Sequence, residues 1–118
     1  MTLFCLAVRT GFDRAFNQCL GRADPNQADD RADTPLIIAA RSGRGKFIKP
    51  LVEKKAELNR QNKDGDTALH CAVRNSMLEE VRILLELGAA RDISNQEGKT
   101  AEELIKTDAV RAIFTKQG

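Results

Sequence analysis

The sequence predicts an all-α repeat protein, a solenoid of stacked helix–turn–helix units joined by projecting β-turn or hairpin loops. First, the phrases TPLIIAA, TALHCAV and TAEELIK begin 33 residues apart, at Thr34, Thr67 and Thr100. Second, the turn phrases NKDG and NQEG keep the same period. Third, aromatic residues make up only 4% of the chain, so the core must use the small aliphatic side chains that suit closely stacked helices. We expect one domain over residues 1–118, with units at about 1–29, 30–62, 63–95 and 96–118.

The elements of each unit follow from local signals. Threonine is a good helix N-cap, and one opens the first helix of each of the last three units. Glu103 can complete a capping box with Thr100, and His70 occupies the same third position after Thr67. A second helix with apolar residues at helical spacing follows, and Gly88 supplies a left-handed cap after it. The turn phrases then place glycine where a positive φ is favourable.

One unit carries the repeated pattern most fully. Its diagnostic residues are Thr67, Leu69, His70, Ala72, Gly88 and Ala89. This pattern resembles the ankyrin repeat, in which TPLHxAAxxG precedes a valine- and leucine-rich helix and then GADxN. The resemblance covers essentially the whole chain, with a degenerate first unit and a shortened last one. It implies a concave surface, formed by the first helices and the projecting turns, that recognises other proteins.

Three departures from that pattern fall in the unit at 30–62. Ala32 stands where the turn favours glycine, which predicts an altered or strained loop. Ile37 replaces the histidine, so the corresponding capping hydrogen bond is lost. Pro50 falls about one turn into the second helix and should kink or delay it. We therefore expect this unit to be the least stable part of the stack.

Composition favours an intracellular protein. No stretch approaches the roughly 20 apolar residues that cross a bilayer, and the first residues lack the features of a signal peptide. Cys5, Cys19 and Cys71 follow no metal-ligand spacing, and we expect them to be reduced and buried. An oxidative crosslink between Cys5 and Cys19 is the alternative. We expect the cytoplasm, with the nucleus as the second location, and no contact with a membrane.

The sequence contains no recognisable pattern of catalytic residues. His70 is the only histidine, and its neighbour Cys71 points about 100° away on the same helix. One histidine and three scattered cysteines supply no closed zinc site. No nucleophile, base and oxyanion-binding group occur together in a recognisable pattern. We expect a protein that is not an enzyme and that uses no cofactor and no metal ion.

The resemblance directs the search for binding residues to the concave surface. Arg9, Arg41 and Arg74 share one register of the repeat and would form a ladder for carboxylates or phosphates of a partner protein. The alternative is that these arginines pair with aspartates of the adjacent loops. The other candidates are the aspartates expected to form an acidic rim, together with polar residues of the loop tips: Asp33, Asp64, Asp66, Lys63, Gln96, Glu97 and Lys99.

Other functions and surfaces stay open. The chain could be a regulatory or targeting segment of a larger enzyme. Nucleic acid could bind a basic cluster that consists of Arg41, Arg44, Lys46, Lys49, Lys54 and Lys55. A solvated surface is the favoured interpretation of that cluster, because it lacks interleaved aromatic residues and follows four aspartates. Finally, LFCLAV predicts an apolar N-terminal end, which a preceding segment, a partner, a second copy, or Phe12 and Phe16 would cover.

Overall fold

The computed structural model describes residues 3–22 and 24–117, and the side chains of residues 3, 4 and 117 lie outside this description. The α-helices are α1 (Leu3–Thr10), α2 (Asp13–Leu20), α3 (Pro35–Arg41), α4 (Ile48–Glu53), α5 (Ala68–Arg74), α6 (Leu78–Glu86) and α7 (Asp108–Gln117). Short 3₁₀ helices occupy Gly45–Phe47 and Glu102–Leu104. No strand occurs within the described ranges, which confirms the all-α prediction.

The helices stack in two rows. In the first row, α3 packs between α1 and α5, and α5 also contacts the 3₁₀ helix Glu102–Leu104. In the second row, α6 packs against α4 and α7. One core joins the rows and is built mainly from Leu, Ile, Val and Ala, with Phe16 stacked on Phe47 at a centroid distance of 4.0 Å. Each unit therefore covers the apolar face of its neighbour, as repeat proteins require.

Threonine caps open α3 and α5 as predicted. The Thr34 hydroxyl accepts a hydrogen bond from the Ile37 amide at 3.2 Å. Thr67 and His70 form a complete capping box, in which Nδ1 of His70 accepts from the Thr67 amide at 3.1 Å. The Nε2 atom of the same ring lies 2.9 Å from the Lys99 carbonyl oxygen. Because a carbonyl only accepts, Nε2 carries the proton, and His70 links its own helix start to the next unit.

The last unit departs from the predicted capping box. Glu103 accepts hydrogen bonds from the amide and the hydroxyl of Thr100, at 3.1 and 3.3 Å. The reverse contact expected of a capping box joins the Glu103 amide to the threonine hydroxyl, but this amide instead donates to the Thr100 carbonyl oxygen. A 3₁₀ turn therefore replaces the first α-helix of this unit.

The projecting loops hydrogen-bond to one another across the stack. Within the loop 62–66, Asn62 N donates to Asp66 O at 2.9 Å, and the loop 95–99 repeats this contact. Between loops, Lys63 N donates to Arg31 O at 3.1 Å, and Gln96 N donates to Asp64 O at 3.0 Å. The three loop tips are thus held in a fixed row beside the helices.

Two of the predicted departures have direct structural consequences. Ala32 keeps the turn conformation of its glycine counterparts and has a φ of 61°, so the loop is strained rather than altered. Pro50 lies within the span that matches α6, and here a 3₁₀ turn precedes a helix of only six residues. The proline therefore delays the α-helix, as expected for a residue without a backbone donor.

Burial separates the cysteines. Cys5 and Cys71 are buried, but Cys19 is only half-buried, so the expectation that all three lie in the core is wrong for Cys19. Within the described residues, none of the three cysteines is part of a disulfide bond. Burial, with a smaller contribution from the nearby Asp66 carboxylate, raises the pKa of the Cys71 thiol to about 12. Cys71 is consequently a neutral core group.

The N-terminal end exposes apolar side chains. Phe16 is buried, whereas Phe12 is 65% exposed and Leu6 is 39% exposed. Phe12 therefore does not cover the opening helix, which corrects that expectation. The side chain of Phe4, which belongs to the same predicted apolar surface, lies outside the described residues.

Candidate functional site

Two arginines of the first helices are held by buried aspartates. Nη1 of Arg41 lies 2.9 Å from Oδ2 of Asp33, and Nη1 of Arg74 lies 2.5 Å from Oδ2 of Asp66. Both carboxylates are almost fully buried, while the two arginine side chains remain 37% and 35% exposed. The hydrogen bond to Asp66 is the main reason why the pKa of Arg74 lies above its usual value. Each arginine is therefore held in position by a buried carboxylate and still reaches solvent.

Asparagines of the following loop complete each pair. Asn62 Nδ2 donates to Asp33 Oδ1 at 2.8 Å, and Asn95 Nδ2 donates to Asp66 Oδ1 at 3.0 Å. The Asn62 side-chain oxygen accepts from the amide of Asp66 in its own loop at 3.0 Å. Aspartate, arginine and asparagine thus form one hydrogen-bonded set that joins successive loops. The asparagines were not among the predicted site residues, although their 33-residue spacing in NKDG and NQEG was a usable signal.

The expected acidic rim is wrong for two of its three members. Asp33 and Asp66 are 1% and 2% exposed, so they cannot form an outer rim. Asp64 is exposed at the tip of its loop, as expected. The pairing of arginines with aspartates, which was the alternative to a free ladder, is found for Arg41 and Arg74.

Arg9 differs from the other two arginines of the ladder. Its side chain is exposed and makes no ion pair with the described residues. In the other two pairs the aspartate precedes its arginine by eight residues, and here that position is Met1. Arg9 thus shares the register of Arg41 and Arg74 without their acidic support.

A depression lies between two loop tips, beside the end of α5. Its lining residues are Asp64, Asp66, Arg74, Gln96 and Glu97. Glu97 is 70% exposed, and its Oε1 lies 3.9 Å from Nη2 of Arg74. Lys63 and Lys99 are exposed on the same loops, and the Lys99 backbone holds His70. The structure therefore gathers one ladder arginine and four of the other predicted site residues in one place.

The members of the basic cluster differ in the contacts that they make. Lys46 pairs with Asp13 at 2.7 Å, and Arg44 Nε donates to the Arg9 carbonyl oxygen at 3.3 Å. Three other lysines are exposed and make no ion pair within the described ranges: Lys49, Lys54 and Lys55. Two of the six members therefore join the first two units, and a third, Arg41, pairs with Asp33 of its own unit.

A groove between α4 and α6 is mixed in charge and has a structural role. Its basic wall includes Lys46 and Lys49, and its opposite wall includes Glu79 and Glu86. Glu80 is buried at its base and accepts a hydrogen bond from the Gly45 amide at 2.9 Å. This carboxylate satisfies the start of the 3₁₀ turn, a contact that sequence reasoning did not identify.

The described part of the chain offers neither a metal site nor a membrane span. Among these residues, no group of three or more His, Cys, Asp or Glu side chains could hold a metal ion. Within the same ranges, no helix has both the length and the apolar character needed to cross a bilayer.

The comparisons with known proteins agree with this architecture. A sequence model described as ankyrin repeats, in three copies, matches residues 4–97. The solved ankyrin repeat domain of Bcl-3, described as a unique member of the IkappaB protein family, is similar at 27% identity with a TM-score of 0.89. The match covers 98% of this chain and 51% of that chain, so this chain spans about half of it. No curated protein sequence matches the chain.

Proposed function

The chain belongs to the ankyrin repeat family, and from that premise we propose that it is a non-catalytic module that binds a partner protein through its concave face and loop tips. Ankyrin repeats are generally protein–protein interaction modules. The finer proposal concerns which residues are used. They are the ladder arginines Arg9, Arg41 and Arg74, with the exposed tip residues Lys63, Asp64, Gln96, Glu97 and Lys99.

The observation that carries the proposal is the buried support of exposed arginines. A guanidinium on a flexible side chain loses conformational entropy when it binds a partner. Asp33 and Asp66 hold Arg41 and Arg74 in place beforehand, and the loop tips are fixed by backbone hydrogen bonds. A surface that is organised in advance binds with little rearrangement and with a smaller entropic loss.

The test exchanges charges at the loop tips. A glutamate in place of Arg41 or Arg74 would place a second negative charge beside a buried aspartate and disturb the fold. These two positions are therefore unsuitable for the binding test. Lys63→Glu with Glu97→Lys keeps the net charge and alters two exposed side chains. We expect partners captured from cell extract by the wild type to be lost by this double variant.

A matched control tests whether a loss of binding depends on where the charges are exchanged. Glu53→Lys with Lys54→Glu makes the same exchange on exposed residues at the end of α4, away from the loops. This variant should retain the partners, and circular dichroism should show an unchanged helix content for both. Retention by the loop-tip variant would exclude the loop tips as the recognition surface.

We also infer the organisation and location of the chain. The continuous packing of successive helices supports one domain of four units over residues 1–118. Three cysteines that form no disulfide bond within the described residues support a reducing compartment, the cytoplasm or the nucleus. Fractionation of cells that express the tagged chain would test the location.

A further inference from the structure

The residues that line the depression at the end of α5 have equivalents one repeat earlier. We call the depression lined by Asp64, Asp66, Arg74, Gln96 and Glu97 the C-terminal notch. Subtracting 33 from each position gives Arg31, Asp33, Arg41, Lys63 and Asp64, which we call the N-terminal notch. Asp64 belongs to both notches.

Matching contacts support this equivalence. In each notch an arginine of the first helix bonds a buried aspartate, at 2.9 Å for Arg41 and 2.5 Å for Arg74. In each, the two loop tips are joined by one backbone hydrogen bond, from Lys63 N to Arg31 O at 3.1 Å and from Gln96 N to Asp64 O at 3.0 Å. The two notches therefore share a backbone framework and differ in their side chains.

The side chains give the notches opposite charge. The C-terminal notch has three carboxylates and one guanidinium, a formal charge of −2. The N-terminal notch has three cationic groups and two carboxylates, a formal charge of +1. The reversal arises at the tips, where Arg31 and Lys63 stand in the positions of Asp64 and Gln96.

The charges that differ are also the accessible ones. Arg31 and Lys63 are exposed and make no ion pair with any described residue. Asp64 is exposed and equally without an ion pair in that part of the chain. Glu97 is 70% exposed and touches Arg74 only at 3.9 Å. A partner can therefore contact these groups without displacing the buried aspartates.

We propose that the two notches together bind an extended segment of a partner protein that carries one acidic and one basic side chain three residues apart. The acidic side chain lies in the N-terminal notch, against Arg31 and Lys63. The basic side chain lies in the C-terminal notch, against Asp64 and Glu97. This inference rests on the proposed function and specifies the chemistry of the partner.

The spacing follows from the repeat. Stacked helices lie about 8–10 Å apart, so neighbouring notches are separated by about that distance. A polyproline II segment rises about 3.1 Å per residue with three residues per turn. Two side chains three residues apart thus lie on the same face of such a segment, about 9 Å from each other. Because the notches differ in charge, only one chain direction fits a given order of acid and base.

The experiment is a selection of displayed random 12-residue peptides on the full chain. Among peptides that the Lys63→Glu, Glu97→Lys variant fails to bind, we expect enrichment of an acidic and a basic residue three positions apart, in one order. A variant then tests the assignment. Gln96→Lys with Glu97→Arg gives the C-terminal notch the formal charge of its neighbour, so selection on it should replace the basic preference by an acidic one.

Affinities of individual peptides give the size of the effect. Exposed ion pairs contribute up to about fivefold each, so peptides selected on the wild type should bind the Gln96→Lys, Glu97→Arg variant about fivefold more weakly in fluorescence anisotropy. Gln18→Lys with Glu53→Arg introduces the same charges at exposed positions on α2 and α4. This control should change peptide affinity less than twofold.

The outcomes separate the two proposals. Two outcomes would overturn the notch proposal alone. In the first, peptides that fail to bind the loop-tip variant show no acid–base pair at this spacing. In the second, selection on the Gln96→Lys, Glu97→Arg variant keeps the preference for a basic residue. Peptides that bind the loop-tip variant as well as the wild type would overturn recognition through the loop tips, and the notch proposal with it.

Discussion

The units at 30–62 and 63–95 reach the same fold with different local support. In the later unit, His70 closes a capping box and also contacts the Lys99 carbonyl oxygen of the next unit. In the earlier unit, Ile37 occupies that position, and only the threonine half of the cap is present. The difference shows that stacking against neighbours can hold a repeat whose own signals are incomplete.

Backbone strain deepens the contrast. The earlier unit places Ala32 and Lys55 at positive φ, at 61° and 76°, where the later unit has Gly65 and Gly88. The later unit has a single strained position of this kind, Ser76, with a φ of 53°. Non-glycine residues in the left-handed region cost about 1–2 kcal/mol each. We therefore expect the earlier unit to open first.

The largest expected effect comes from a new methyl group at Gly65. A Cβ atom there would meet the Gln96 amide nitrogen at 2.7 Å and the Asn95 Cα at 3.0 Å, both backbone atoms of the next loop. Gly65→Ala should therefore lower the free energy of unfolding by about 3 kcal/mol, from left-handed strain and the forced separation of the loops. Urea denaturation followed by circular dichroism measures this loss.

Gly98 provides a matched control. Its φ is 77°, close to the 78° of Gly65, but a Cβ atom added there would meet no atom within 4 Å beyond its chain neighbours. Gly98→Ala should therefore lose only the strain contribution of about 1 kcal/mol. Equal losses for the two variants would show that the close approach of neighbouring loops does not contribute to stability.

The next effect tests the buried carboxylates. Asp66→Ala removes the acceptor of Arg74 and leaves the Asn95 amide group without its buried partner, which should cost about 2 kcal/mol. Asp33→Ala should cost less, because Arg41 makes one bond to its aspartate where Arg74 makes two. Urea denaturation of both variants gives the ranking, and a larger loss for Asp33→Ala would contradict the expected order of the two losses.

Pro50 is the clearest sequence difference between the second helices of the two units. Pro50→Leu should raise the free energy of unfolding by roughly 1 kcal/mol, because it restores a helical donor in a half-buried position. The gain is limited, since the preceding 3₁₀ turn is fixed by the bond between Gly45 and Glu80. A stability lower than the wild type in thermal denaturation would mean that the local backbone is adapted to the proline.

The sequence predicted the repeat and its caps because these depend on short spacings. Thr34 and Thr67 are recognisable from the residues that follow them. The burial of Asp33 could not be predicted in the same way, since an aspartate beside a turn ordinarily faces solvent. Its partners are Arg41 and the side-chain amide of Asn62, 29 residues away in the next loop, which meet only when successive loops pack side by side. The opposite charges of the two notches could not be predicted from the sequence either, because only the structure shows which residues line the C-terminal notch.

The smallest expected effect relieves the strain at Ala32. Ala32→Gly removes a left-handed cost of about 1–2 kcal/mol, but glycine also gains about 0.4–1 kcal/mol of conformational freedom in the unfolded chain. The net result should be a stabilisation of about 0.5 kcal/mol in urea denaturation. Ala90→Gly is the control, because Ala90 also lies in a loop but is not at positive φ, and it should destabilise by a similar amount. If both variants change the free energy of unfolding with the same sign, the φ of Ala32 carries no strain. Lys55 would then be the one strained position left as a reason for expecting this unit to open first.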